Sequence, residues 1–73
     1  MKFKNFFKFI GHDEIIVLYD PFRNIYLERY DCKQEYDGEY DGYEVIGVNT
    51  NVDDGYNAVL EIDVMEWSGK DDR

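Results

Sequence analysis

Cysteine, proline, tryptophan and histidine are scarce in this chain of 73 residues, since each of them occurs only once. A single cysteine, Cys32, can form no internal disulfide and no cysteine-cluster zinc site, which excludes a disulfide-stapled secreted domain. No stretch approaches the roughly 20 apolar residues of a membrane-spanning helix. The basic start is interrupted by Lys8 and has no small-residue cleavage site after it, so we expect no signal peptide. These absences predict a cytoplasmic protein.

Positive charge is also scarce, with 8 basic residues against 17 acidic ones and a net charge of −9 at pH 7. Such an excess of negative charge disfavours direct binding to DNA, RNA or an anionic membrane, which would all repel it. Disordered acidic chains contain few aromatic residues, whereas 18% of this chain is aromatic. We therefore expect a folded protein whose partner is basic.

A chain of this length forms one small domain, 1–73, because it can bury only roughly 60% of its unfolded surface. Phe3, Phe6, Phe7 and Ile10 recur at helical spacing and predict a helix over 2–10 with one aromatic face. The helix is too short to be stable alone, so we expect it to cover an apolar sheet. A helix lying on a membrane surface is the alternative.

Four segments have the β-branched and alternating composition of strands. The predicted fold is α+β, a short N-terminal helix packed on a four-stranded antiparallel sheet. The uncovered face of the sheet is expected to be aromatic and acidic, and the charged tail after Trp67 is expected to fray. The strands are placed at about 14–20, 25–30, 43–49 and 56–66, with an acidic, tyrosine-rich loop at 31–42. The residues expected on the uncovered face are Tyr26, Glu28, Tyr30, Glu61 and Asp63.

The negative charge is concentrated in the second half of the chain: residues 1–30 carry a net +1, whereas residues 31–66 carry −10. Within the loop, the tetrapeptide Glu-Tyr-Asp-Gly at 35–38 is repeated at 39–42. An extended backbone would place these alternate carboxylates about 7 Å apart on one side, which is comparable to the separation of DNA phosphates. The residues predicted to bind a partner are Glu35, Tyr36, Asp37, Glu39, Tyr40, Asp41, Glu44, Asp53, Asp54, Glu61 and Asp63.

Catalytic and metal chemistry find little support in the sequence. His12 follows the predicted helix, where a cation suits the helix dipole. The residues near Cys32 that could act as a base are carboxylates, which do not favour a thiolate nucleophile. Segment 49–55 alternates oxygen ligands as a calcium loop does, but its glycine is one position late, so a hairpin turn is favoured over a calcium site. We expect no enzyme activity, no metal and no cofactor.

The segments 14–20 (EIIVLYD), 43–48 (YEVIGV) and 59–64 (VLEIDV) resemble those of the short acidic proteins of bacteriophages and mobile elements, several of which are DNA-mimicking anti-CRISPR inhibitors. The resemblance implies an inhibitor that occupies a basic nucleic-acid-binding groove, such as that of a Cas effector. We expect the protein to be a monomer or weak dimer in the host cytoplasm. The alternative is a small phage accessory or assembly protein that binds through its tyrosine-rich sheet face, with charge serving only solubility.

Overall fold

Residues 1–66 are described by a computed structural model, which has one short helix and one four-stranded sheet. This confirms the α+β fold with an N-terminal helix. The helix α1 spans Phe3–Phe7, and a 3-10 turn occupies Lys33–Glu35 within the loop at 31–43. The strands are β1 (Ile15–Asp20), β2 (Ile25–Tyr30), β3 (Glu44–Val52) and β4 (Ala58–Met65).

The sheet is mixed, with the strand order β2-β1-β4-β3. Two antiparallel hairpins, β1–β2 and β3–β4, lie side by side, and the central strands β1 and β4 pair in parallel. The prediction of a wholly antiparallel sheet is therefore wrong. The reason is the loop at 31–43, which is long enough for a crossover and lets the chain place its two most apolar strands in the centre of the sheet.

The hydrophobic core lies between one face of the sheet and the layer formed by α1 and the loop. Ile16 and Leu18 of β1 and Ile62 and Val64 of β4 are fully buried on this covered face, beneath Phe3 of the helix. Strand residues that lie directly opposite one another share a face, and the register pairs Leu18 with Ile62. The two central strands, β1 and β4, therefore supply the centre of the hydrophobic core.

A bulge in β2 moves Tyr30 away from its predicted position. Tyr26 pairs with Tyr19, but Glu28 pairs with Leu18, so the register shifts by one residue between them. After the shift, Glu28 and Tyr30 project from the covered side of the sheet, and Tyr30 is buried in the core. The prediction that Glu28 and Tyr30 lie on the uncovered face is wrong, because simple alternation does not continue through a bulge.

The remaining differences concern the ends of elements. The helix ends at Phe7 rather than residue 10, and the chain continues in turns bonded from residue i+3 to residue i, so that Ile10 still reaches the core. The strand β3 continues to Val52, beyond the predicted end at 49. The predicted frayed tail after Trp67 lies outside the described residues. No helix within 1–66 has the length and apolar character required to cross a membrane.

Candidate acidic interface

Tyr36 fastens the loop to the core. Its ring lies 5.2 Å from Phe3, 4.8 Å from Phe7 and 5.3 Å from Tyr30, measured between centroids. Its hydroxyl donates to Asp41 Oδ1 at 2.8 Å and accepts from the amide of Tyr40 at 2.9 Å. Burial and the bond to Asp41 raise the pKa of the Tyr36 phenol, so it stays a hydrogen-bond donor.

Tyr40, the matching residue of the second repeat, is a further anchor. It is only 7% exposed, and its ring meets that of Tyr43 edge-on at 4.9 Å. Burial raises the pKa of Tyr40 and of Tyr43. The tyrosines of both repeat copies therefore point into the protein, although the sequence predicted that Tyr36 and Tyr40 would contact a partner.

The backbone of the repeat is folded into turns. Gly38 has a φ of 93°, a conformation that favours glycine. The amide of Asp41 donates to the carbonyl of Gly38, and the amide of Tyr43 donates to the carbonyl of Tyr40. The expected extended row of evenly spaced carboxylates is therefore not formed.

Several of the predicted acidic contacts stabilise the loop itself. Glu35 accepts a bond from the amide of Asp31 at 2.9 Å, and Asp41 holds the Tyr36 hydroxyl. Glu44 accepts from the ammonium group of Met1 at 2.5 Å and lies 3.8 Å from Lys2 Nζ. The hydrogen bond from the N-terminal ammonium lowers the pKa of Glu44. These carboxylates are partly satisfied within the chain.

Three acidic residues lie within electrostatic range of the buried phenols of Tyr30 and Tyr40, and we call them the acidic patch: Glu28 of β2 with Asp37 and Glu39 of the loop. All three are exposed, and none takes part in an ion pair of residues 1–66. Their charges act together on the buried phenols of Tyr30 and Tyr40, whose pKa values they raise after the larger effect of burial. The three carboxylates are therefore close enough to act on the same two phenols.

The acids of the β3–β4 hairpin have a different environment. Asp53 Oδ1 accepts from the amides of Gly55 and Asn57, both at 2.9 Å, and Asp53 Oδ2 lies 3.1 Å from the Arg29 guanidinium. These bonds, led by the one from the Asn57 amide, lower the pKa of Asp53. Its neighbour Asp54 is exposed. Asp53 therefore fixes the turn, which is the hairpin role that the sequence favoured for this segment.

Glu61 and Asp63 lie on the uncovered face of the sheet, as predicted. Glu61 accepts from the Asn51 amide group at 2.7 Å. Asp63 Oδ1 is buried without a hydrogen-bond partner among the described residues. A Cβ at Gly47 would lie 3.1 Å from Asp63 Oδ2, so glycine leaves room for this carboxylate. The uncovered face is thus acidic at its centre.

The predicted site residues are therefore not gathered on one surface: most lie in the loop, Asp53 and Asp54 lie in the β3–β4 turn, and others lie on the uncovered face of the sheet. Asp37 and Glu39 belong to the loop that packs on the covered side, where Asp37 accepts a bond from the amide of Glu39, while Glu61 and Asp63 lie on the uncovered side. Sequence reasoning missed Glu28 as a member of the acidic patch, because no sequence signal marks the β2 bulge that turns it toward the loop.

No group of three or more His, Cys, Asp or Glu side chains within 1–66 is arranged to hold a metal ion. Comparisons of the chain with protein-family models, with curated proteins and with solved structures found no match.

Proposed function

We propose that this protein is an acidic interaction module that binds a basic, nucleic-acid-binding protein through the acidic patch. In its narrowest form the proposal is an inhibitor of the anti-CRISPR type, which occupies the groove of a Cas effector in the host cytoplasm. The observation that carries the proposal is the construction of the tandem repeat: each tyrosine anchors the loop on the core, and the neighbouring acids Asp37 and Glu39 are exposed and form no ion pair within residues 1–66.

Anchoring of this kind suits a binding surface. Because Tyr36 and Tyr40 hold the loop on the core, its acids are displayed in a fixed arrangement, and binding costs little conformational entropy. Because no ion pair within residues 1–66 neutralises the acidic patch, its field extends into solvent and steers a basic partner toward it. Association should therefore be fast and should weaken as salt is added.

The first experiment compares two triple variants with the same net charge. Glu28→Gln, Asp37→Asn and Glu39→Gln together remove the acidic patch. Asp13→Asn, Glu14→Gln and Asp54→Asn remove three exposed acids elsewhere. Each tagged protein is used to capture binding proteins from a bacterial lysate at low and at high salt.

We expect the wild type and the control triple variant to capture the same nucleic-acid-binding protein at low salt, and the patch variant to lose it. Equal loss in both variants would show that total charge, rather than the acidic patch, governs binding. Capture of no basic protein by the wild type would overturn the proposal.

The inhibitory form of the proposal has its own test. Duplex DNA should compete with this protein for the captured partner, so increasing DNA should release it. If the partner is a Cas effector, target cleavage should fall as the wild type is added and should be unaffected by the patch variant. Simultaneous binding of DNA and this protein would exclude a shared groove.

The second candidate is partner binding through the uncovered face, which is favoured by a groove of about 310 Å³ beside Tyr26. Val17 and Val59 form its apolar floor, while Asp53 and Glu61 supply charge. Tyr26→Ala should abolish capture under this alternative and leave it unchanged if the acidic patch is the interface.

A further inference from the structure

The strand β3 forms one outer edge of the sheet and carries little protection against pairing with another strand. Residues 45–52 (VIGVNTNV) form the longest uncharged run in the whole sequence and contain no proline. Outer strands are normally protected by charges, proline, bulges or short length. The opposite edge follows this rule, since β2 carries Glu28 and Arg29 and contains a bulge. The strand β3 has a bulge only at its start, between Val45 and Gly47.

The backbone groups that point outward from β3 can be assigned from the hairpin. The amide of Asp53 donates to the carbonyl of Asn57 across the turn at 3.0 Å. Bonding alternates along an antiparallel pair, so Asn51 and Asn49 bond to β4 while Val52, Thr50 and Val48 point their amide and carbonyl groups outward. Within residues 1–66 these outward groups have no backbone partner.

The sequence of this exposed segment reads the same in both directions about Thr50: Val-Asn-Thr-Asn-Val, residues 48–52. We propose that β3 pairs with β3 of a second copy of this chain, antiparallel and centred on Thr50. In that register Val48 faces Val52 of the other copy and Thr50 faces its own equivalent, so all outward groups meet bonding partners. Opposed β-branched residues and opposed threonines each stabilise an antiparallel pair.

Both faces of the combined sheet suit this register. Val48, Thr50 and Val52 all belong to the covered side, where Val48 is 43% exposed and Val52 is 65% exposed in the single chain. Asn49 and Asn51 belong to the uncovered side, where they would face each other across the pair. The new contact therefore matches apolar with apolar and amide with amide, and places no like charges opposite each other between 48 and 52.

The N-terminal segment selects this register over a neighbouring one. The carbonyl of Met1 accepts a bond from the amide of Val45 on the outer side of β3, so the edge is occupied at that end. Centring on Asn49 would carry residue 53 of the second copy to Val45, where Met1 lies. Centring on Thr50 ends the paired segment at Val48 and Val52, so the strand of the second copy stops three residues short of Val45.

Sedimentation equilibrium tests the proposal, from low micromolar to near-millimolar protein. The wild type should shift from one chain of 8.8 kDa to twice that mass. Added salt should strengthen the association, because it screens the repulsion between two chains of charge −9. A mass that stays at one chain throughout, in high salt as well, would overturn the proposal.

Charge substitutions test the register. Thr50→Lys and Thr50→Glu each place like charges opposite each other and should raise the dimer dissociation constant by about tenfold or more. An equal mixture of the two variants should regain the dimer, because the introduced lysine faces the introduced glutamate. Gln34→Lys, an exposed site in the loop with the same change of charge as Thr50→Lys, should dimerise like the wild type.

Unchanged dimerisation of Thr50→Lys, or no recovery in the mixture, would overturn pairing about Thr50. Recovery in the mixture also excludes misfolding as the cause of the single-variant losses. The proposed acidic interface is tested separately, since its binding weakens with salt and depends on Glu28, Asp37 and Glu39 rather than on β3.

Discussion

At the scale of single residues, Tyr36 connects the loop to the helix and to β2. Its ring touches the helix through Phe3 and Phe7, and it also touches β2 through Tyr30. Its hydroxyl joins both repeat copies by bonding Tyr40 and Asp41. The Tyr36 phenol therefore joins the two copies of the repeat to each other and to the core.

Replacing Tyr36 with Phe keeps the ring but leaves the amide of Tyr40 and the carboxylate of Asp41 without this partner. Both groups are partly shielded from water, so the free energy of unfolding should fall by about 1–3 kcal/mol. Urea denaturation measures the change. Tyr56→Phe is the matched control, since Tyr56 is 89% exposed and its loss of a hydroxyl should change stability by less than about 0.5 kcal/mol. Equal effects of the two substitutions would contradict the role given to Tyr36.

Tyr56 itself has an unfavourable backbone conformation, with a φ of 63° in the β3–β4 turn. This left-handed region raises the conformational energy of most residues other than glycine by roughly 1–2 kcal/mol, and asparagine is less unfavourable there than tyrosine. Tyr56→Asn should therefore raise the free energy of unfolding by about 1 kcal/mol, because the exposed ring loses little packing. In thermal denaturation, Tyr56→Asn should have a higher melting temperature than the wild type. Tyr56→Phe should have the same melting temperature as the wild type. A lower melting temperature for Tyr56→Asn would mean that the ring contributes more than its exposure indicates.

At the scale of elements, amino-acid composition predicted where the strands lie but not how all of them pair. The composition of segments 14–20 and 25–30 predicted β1 and β2 as strands, and their antiparallel pairing is confirmed. The end of β3 was missed because Asn49, Thr50 and Asn51 are typical of turns, yet pairing with β4 keeps them extended. The parallel pairing of β1 with β4 depends on a contact between distant segments, which local patterns do not encode.

The β3–β4 turn depends on the charge of Asp53. Hydrogen bonds from the turn hold the pKa of Asp53 below its ordinary value, so the carboxylate stabilises the fold while it is ionised. This contribution is present above about pH 4 and is lost as the pH falls further through the lowered pKa. At neutral pH the wild type should have a higher urea denaturation midpoint than Asp53→Asn. The difference between the two midpoints should disappear in acid. Asp54→Asn, in the same turn, should show a smaller gap, and a gap independent of pH would exclude this role.

At the scale of the whole molecule, the sequence predicted the amount of negative charge in residues 31–66 but not its arrangement. The prediction of one row of carboxylates assumed an extended loop. Burying the aromatic rings of the repeat in the core stabilises the protein more than leaving them exposed on an extended loop. Because the rings enter the core, the backbone of the repeat folds into turns. Asp37 and Glu39 could be identified from the sequence as exposed acids. Their partner Glu28 could not, since its position depends on a bulge.

Buried phenols make the folded protein sensitive to alkali. Burial raises the pKa of Tyr30, Tyr36, Tyr40 and Tyr43, so each binds its proton more tightly in the folded chain than in the unfolded one. Stability from these groups is complete below about pH 10 and declines as the pH rises above it. Urea midpoints measured across this range should fall, and they should fall less steeply for Tyr30→Phe. A flat profile in alkali would contradict the burial of these groups.

The parallel pairing of β1 with β4 also determines how the protein unfolds. Each hairpin joins neighbouring segments, whereas β1 and β4 meet only after the intervening loop has been ordered, which is a contact of high sequence separation. Breaking the pairing between β1 and β4 separates the two hairpins and exposes the hydrophobic core in the same step. Amide protons of Leu18 and Ile62 should therefore exchange with solvent only through global unfolding, while those of the outer strands exchange through smaller openings.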